Sequence, residues 1–224
     1  MLRKHNLAPL WANQIEAMKT RPTMEGFYGP AFYRISFYVS EVKQDPGRLN
    51  VFHVAGLDRY RKVITPFTGT ITVLSVRPFT KGMVVDADST AKAFTATGRF
   101  ELREDPTAKG AGTYSGQALL DFSIDGNGRL DQALHVFGQA NPTKGCGLLF
   151  RGNQTSNKTG QRKSVAFANF YGAVVPQALA KFGLGNRSEE VNPDLARFGW
   201  AEAWENKEWW ANSPTPTLGL PIAQ

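Results

Sequence analysis

Between residues 28 and 171, apolar and polar side chains alternate with a period of two, and clusters of Gly, Pro, Asn and Asp punctuate the alternation. That rhythm predicts β-strands, because successive strand side chains point to opposite faces. Residues 33–40 place Ile35, Phe37 and Val39 on one face, and Gln44-Asp45-Pro46-Gly47 reads as a turn. Further strands are predicted over 49–55, 63–76, 92–103, 112–124, 129–138, 146–151 and 162–171. Pro66 interrupts the second of these and predicts two pieces or a bulge. Gly126-Asn127 suits a two-residue hairpin turn.

Eight or so strands at this spacing, joined by short loops, predict a mainly β protein built as an antiparallel meander. A sheet of that size must hide its edges, and closure into an eight-stranded up-and-down barrel does so. Long strands fit one continuous sheet better than the short segments of a sandwich. Lipocalins and avidin have this architecture, a likeness of shape that carries no function. At both chain ends the period changes. Pro9 opens a short helix in which Trp11, Ile15 and Met18 share a face, expected to cover an edge or open end of the barrel. Pro176 and Gly183 bracket another short helix, and a last one runs to Trp210. The chain is thus read as an N-terminal helical segment (1–25), a β-barrel domain (26–175) and a helical, Trp-rich extension (176–224) packed on the barrel.

Charge adds the sharpest functional hint. The formal net charge is +7, and no acidic residue lies between Gln132 and Ser188. Lys144, Arg151, Lys158, Arg162, Lys163, Lys181 and Arg187 stand alone there, while charges elsewhere cancel. A tract of one sign directs its field outward and attracts an anion or an acidic surface. Aromatic residues at 12% argue against disorder. The single cysteine, Cys146, excludes an internal disulfide or a CxxC site, and its apolar setting predicts a buried, inert thiol. No apolar run reaches the roughly 18 residues that span a bilayer. The basic start leads into no apolar segment of the signal-peptide kind, so a soluble chain is expected, either not exported or freed of its leader, with its compartment left open.

The basic hairpin 150–164 supplies the candidate ligand contacts Arg151, Lys158, Arg162 and Lys163, with Lys144 in support. Its hydroxyls, amides and glycines add donors of the kind that hold phosphate or carboxylate. The plainer alternative is a solvated hairpin whose cations pair with acids elsewhere in the chain, such as Glu101 or Glu104. Asp58-Arg59-Tyr60-Arg61-Lys62 is a second basic group with an interleaved aromatic, but no nucleic-acid-binding signature accompanies it. Tyr33, Tyr38, His53 and His135 are candidates to line a lumen. Trp200, Trp204, Trp209 and Trp210 form a candidate interaction surface, or else a clamp on the barrel wall. An enzyme would need His53 or His135 beside a carboxylate such as Asp86 or Asp121, and the expected hairpin register sends Asp121 and His135 to opposite faces. No catalytic motif, cofactor or metal site is read. The expectation is a non-enzymatic binding protein taking an anionic or amphipathic small molecule, a glycan or an acidic protein surface.

Overall fold

The computed structural model describes residues 1–14, 22–79, 91–133, 142–169, 174, 196–200 and 208–219. Among them, α1 (Ala8–Trp11) precedes β1 (Thr23–Tyr28), β2 (Tyr33–Gln44), β3 (Val51–Tyr60), β4 (Val63–Pro78), β5 (Lys92–Glu104), β6 (Gly112–Ile124), β7 (Leu130–Gln132), β8 (Leu148–Ser156) and β9 (Arg162–Ala168). β1 to β6 run as an antiparallel meander; β6 pairs β8, β8 pairs β9, and β9 returns to β1. Eight strands therefore close a barrel, and β7 lies as an extra strand along the end of β6.

The inward phase of each strand carries the core. Phe37, Phe67, Phe100, Phe150 and Phe167 fill the centre with Tyr114, Met24 and the aliphatic residues between them. Phe37 stacks on Phe167 at 3.8 Å between centroids, Phe167 stacks on Phe150 at 4.7 Å, and Phe100 meets both edge-on. The lumen is packed rather than hollow. Inward glycines make this packing fit: Gly116 and Gly152 face each other across β6 and β8, and a Cβ on either would run into the facing strand's backbone. Such close approach is the use glycine has inside a strand.

Leu7, Leu10 and Trp11 of the α1 segment enter the same core, with Trp11 against Phe150. This helical piece plugs one end, as expected for an apolar face at the N-terminus. Gln132 donates to the Leu10 carbonyl at 2.7 Å and accepts from Asn169, tying the plug to the barrel. At the opposite end, the connections 28–33, 60–63, 104–112 and 156–162 form a mouth that no described helix covers.

Several expectations change. β1 went unread because Gly26 occupies an inward position between Met24 and Tyr28, which breaks the apolar alternation. Pro66 sits within one continuous β4; the bulge falls instead between Val73 and Ser75, where Leu74 turns out to solvent. β7 stops at Gln132 because β8 takes the place beside β6 from Leu120 onward. Its turn is also longer: Asp125 accepts from the backbone of Asn127 and Arg129, and Gly128 takes a left-handed φ of 82°. The pairing is consequently displaced by one residue, Ile124 with Leu130. Residues 176–183 and most of the expected last helix lie outside the described residues, as do Ile15 and Met18.

Candidate functional site

Strand direction brings the ends of β1, β3, β5 and β8 and the starts of β2, β4, β6 and β9 to the mouth. Three tyrosines line it. Tyr28 and Tyr60 meet edge-on at 4.7 Å, and Tyr60 and Tyr33 at 5.3 Å. Cations stand on these rings. The Arg61 guanidinium lies 4.7 Å from the Tyr33 centroid and 5.4 Å from that of Tyr60, and Lys163 Nζ lies 5.4 Å from that of Tyr28. Each such contact is worth about 0.5–1 kcal/mol at exposed sites and holds the cation near the rim. Exposed Lys158 and Arg162 extend the same hairpin tip. Beside Tyr33, a crevice of about 100 Å³ is lined by Arg34, Arg59, Arg61, Lys62 and Gly199.

Beneath the tyrosines lies a buried acidic floor. Asp58 and Glu104 are both buried and hydrogen-bonded to each other. Glu104 Oε2 accepts from the Gly112 N–H at 2.6 Å and from Gln154 Nε2 at 2.8 Å, and the Tyr114 hydroxyl donates to Oε1 at 3.3 Å. Tyr28 donates to Gln154 Oε1 at 2.7 Å, extending the chain toward the rim. Asp58 Oδ2 has no partner. Burial, followed by the adjacent Glu104 charge, pushes the Asp58 carboxyl well above the usual carboxylate range. Burial also raises Glu104, against the donors aimed at it. With that set of donors Glu104 keeps the charge, and Asp58 carries the proton that joins them. Burial first, then Tyr60 and the two carboxylates, pushes Tyr28 up to about 12.

The predicted ligand residues divide. Lys158, Arg162 and Lys163 stand at the mouth; Arg151 pairs in register with Gln117 on the barrel's outer wall, and Lys144 lies near the plugged end. Among the described residues, Glu101 and Glu104 do not pair with the hairpin cations Lys158, Arg162 and Lys163. Glu101 bonds Arg103, Glu104 is buried under the mouth, and no carboxylate among the described residues bridges Lys158, Arg162 or Lys163. The second basic group, 58–62, meets the first at the same rim.

The lumen candidates are corrected. Tyr38 points outward and stacks on Trp210 at 5.5 Å, because the inward phase of β2 belongs to Phe37 and Val39. His53 also points outward, since Phe52 and Val54 face the core, and its Nε2 meets Asp45 Oδ2 at 3.0 Å. That pair braces the 44–51 turn, with Asp45 also accepting from the backbone of Gly47 and Arg48; these bonds, led by His53, hold its carboxyl well below the usual range. Tyr33 belongs to the rim. Asp121 is buried on the outer side between Thr95 and Thr143, whose hydroxyls donate to it at 2.5 Å each. His135 and Asp86 lie outside the described residues.

Trp200 is buried on the outer wall with Leu149, Ala166 and Ala168, and its Nε1 donates to the Phe32 carbonyl at 2.8 Å. Trp209 and Trp210 are half-buried, and Trp204 lies outside the described residues. Trp200 thus packs into the wall, Trp210 lies on Tyr38 and Trp209 lies edge-on to Trp210. Cys146 is buried, as expected. Among the described residues no cluster of ligands suits a metal, and no helix is long and apolar enough to cross a membrane.

The molecule is a closed eight-stranded antiparallel barrel, plugged at one end and carrying tyrosines, cations and a buried acid pair at the other. Comparison with known proteins finds no matching family model, no similar curated protein and no similar solved structure.

Proposed function

We propose that this protein is a non-enzymatic binding protein that takes an anionic small molecule at the mouth of the barrel. One observation carries the reading: basic side chains from hairpins a hundred residues apart in the chain meet around one set of tyrosine rings. Arg61 lies on Tyr33 and Tyr60, Lys163 lies on Tyr28, and Lys158 and Arg162 stand on the same tip as Lys163. The cations attract the anion, and the rings offer an apolar surface to the rest of the ligand. A filled lumen keeps the ligand at the rim.

The test is charge reversal. Arg162→Glu with Lys163→Glu abolishes a salt-sensitive interaction with anionic probes while the circular dichroism spectrum stays that of a β-barrel. The salt dependence follows from screening over about 10 Å at 0.1 M ionic strength. Calorimetry with inorganic phosphate, phenyl phosphate and benzoate at low and high salt measures it, and affinity unchanged by the reversal rejects the reading.

A further inference from the structure

The anion-binding reading is the basis of a more specific one, which names the group bound and the place that binds it. We infer that the crevice between Tyr33, Arg34, Arg59, Arg61, Lys62 and Gly199 is a subsite for the dianionic head of a phosphate monoester, with the ester's organic part lying across the tyrosines of the mouth.

Size sets the first limit. About 100 Å³ is well below the roughly 300–1,000 Å³ of pockets that engulf a drug-sized ligand, so the crevice suits a head group only. Chemistry sets the second. Four cationic side chains line the space, three of them arginines whose planar forks match oxyanions in two-pronged fashion. A phosphate monoester carries about −1.5 to −2 near pH 7 and three acceptor oxygens, which answers such a lining better than a single carboxylate. Glu25 holds Arg34 through Nε at 2.8 Å and also accepts from Ser36, so that guanidinium is positioned before any ligand arrives.

Backbone geometry points the same way. Arg61 and Lys62 are the two central residues of the β3–β4 turn, and both have positive φ, 49° and 69°. A two-residue turn of this kind favours Asn-Gly, because residues with a Cβ are strained there. Two long cations held in that strained turn at the edge of a basic crevice are the kind of outlier found where a ligand is gripped. Gly199 completes the wall with φ of 82°; a Cβ there would press on the Tyr33 ring at 3.2 Å.

Glycine fits the turn better than either native residue, so Arg61→Gly with Lys62→Gly removes two cations without threatening the fold. Titration of the full chain with phenyl phosphate and with benzoate, followed by calorimetry, is the experiment. Phenyl phosphate is expected to bind at least tenfold more tightly than benzoate and to weaken below about pH 6, where its second charge is lost. The double glycine variant is expected to lose at least tenfold in phenyl phosphate affinity while its circular dichroism spectrum stays that of the folded β-barrel. Equal affinity for the two probes, or undiminished binding by the variant, overturns the subsite. If Arg162→Glu with Lys163→Glu alone abolishes binding, the crevice is wrong and the broader reading stands; if neither probe binds the parent chain, both fall.

Discussion

Asp58 and Glu104 come from strands separated by β4, yet both end in the lumen, where one proton serves two carboxyl groups. Because Asp58 titrates well above its unfolded range, the folded chain binds a proton that the unfolded chain releases above about pH 4. Stability from this group is complete below that unfolded value and falls as pH rises toward the folded one. Asp58→Asn keeps a donor to Glu104 and removes the titration. Denaturant unfolding between about pH 5 and pH 9 is therefore expected to show a smaller decline in the variant than in the parent; parallel declines would reject the shared proton. Glu104→Ala strands the Gly112 N–H, Gln154 and Tyr114, and is expected to cost about 3 kcal/mol by urea unfolding at neutral pH. Neither acid was legible as an inward residue: the predicted strands stop at 55 and 103, short of Asp58 and Glu104, and β3 and β5 run on through them to Tyr60 and Glu104. Nothing in the linear pattern said that two strands an interval apart would bring them together.

Strands and turns were legible where alternation was intact and obscure where glycine replaced an inward side chain. β6 appears with the bounds its pattern predicts, 112–124, whereas Gly26 hid β1 and Gly56 and Asp58 blurred the end of β3. The glycines that weaken the pattern are those the barrel most needs. Gly116→Val forces a branched side chain into the Arg151 carbonyl and is expected to cost about 3 kcal/mol, or to prevent folding, as read by thermal and denaturant melts. The β3–β4 turn behaves oppositely. Lys62→Gly relieves a left-handed φ and is expected to raise stability by about 1 kcal/mol, a change that a fall in melting temperature would contradict.

For the whole molecule, closure was legible because a meander this long cannot leave its edges bare. The contents of the lumen were not, since alternation says which face is buried and nothing of how much room remains inside. Nor does clustering along the chain equal clustering in space: Arg151 and Lys144 belong to the basic tract but not to the mouth, while Arg61 joins the mouth from outside the tract. The plug is tested by Trp11→Ala, which empties a fully buried site against Phe150 and is expected to cost about 3–5 kcal/mol in urea unfolding. Closure of the ring also fixes the order of events during synthesis. β1 leaves the ribosome before one of its two neighbours, β9, with seven described strands made between them. At about 5–20 residues per second, that edge stays unpaired for on the order of ten seconds. During this interval the nascent sheet presents an open flank, where pairing with another chain competes with closure of the ring.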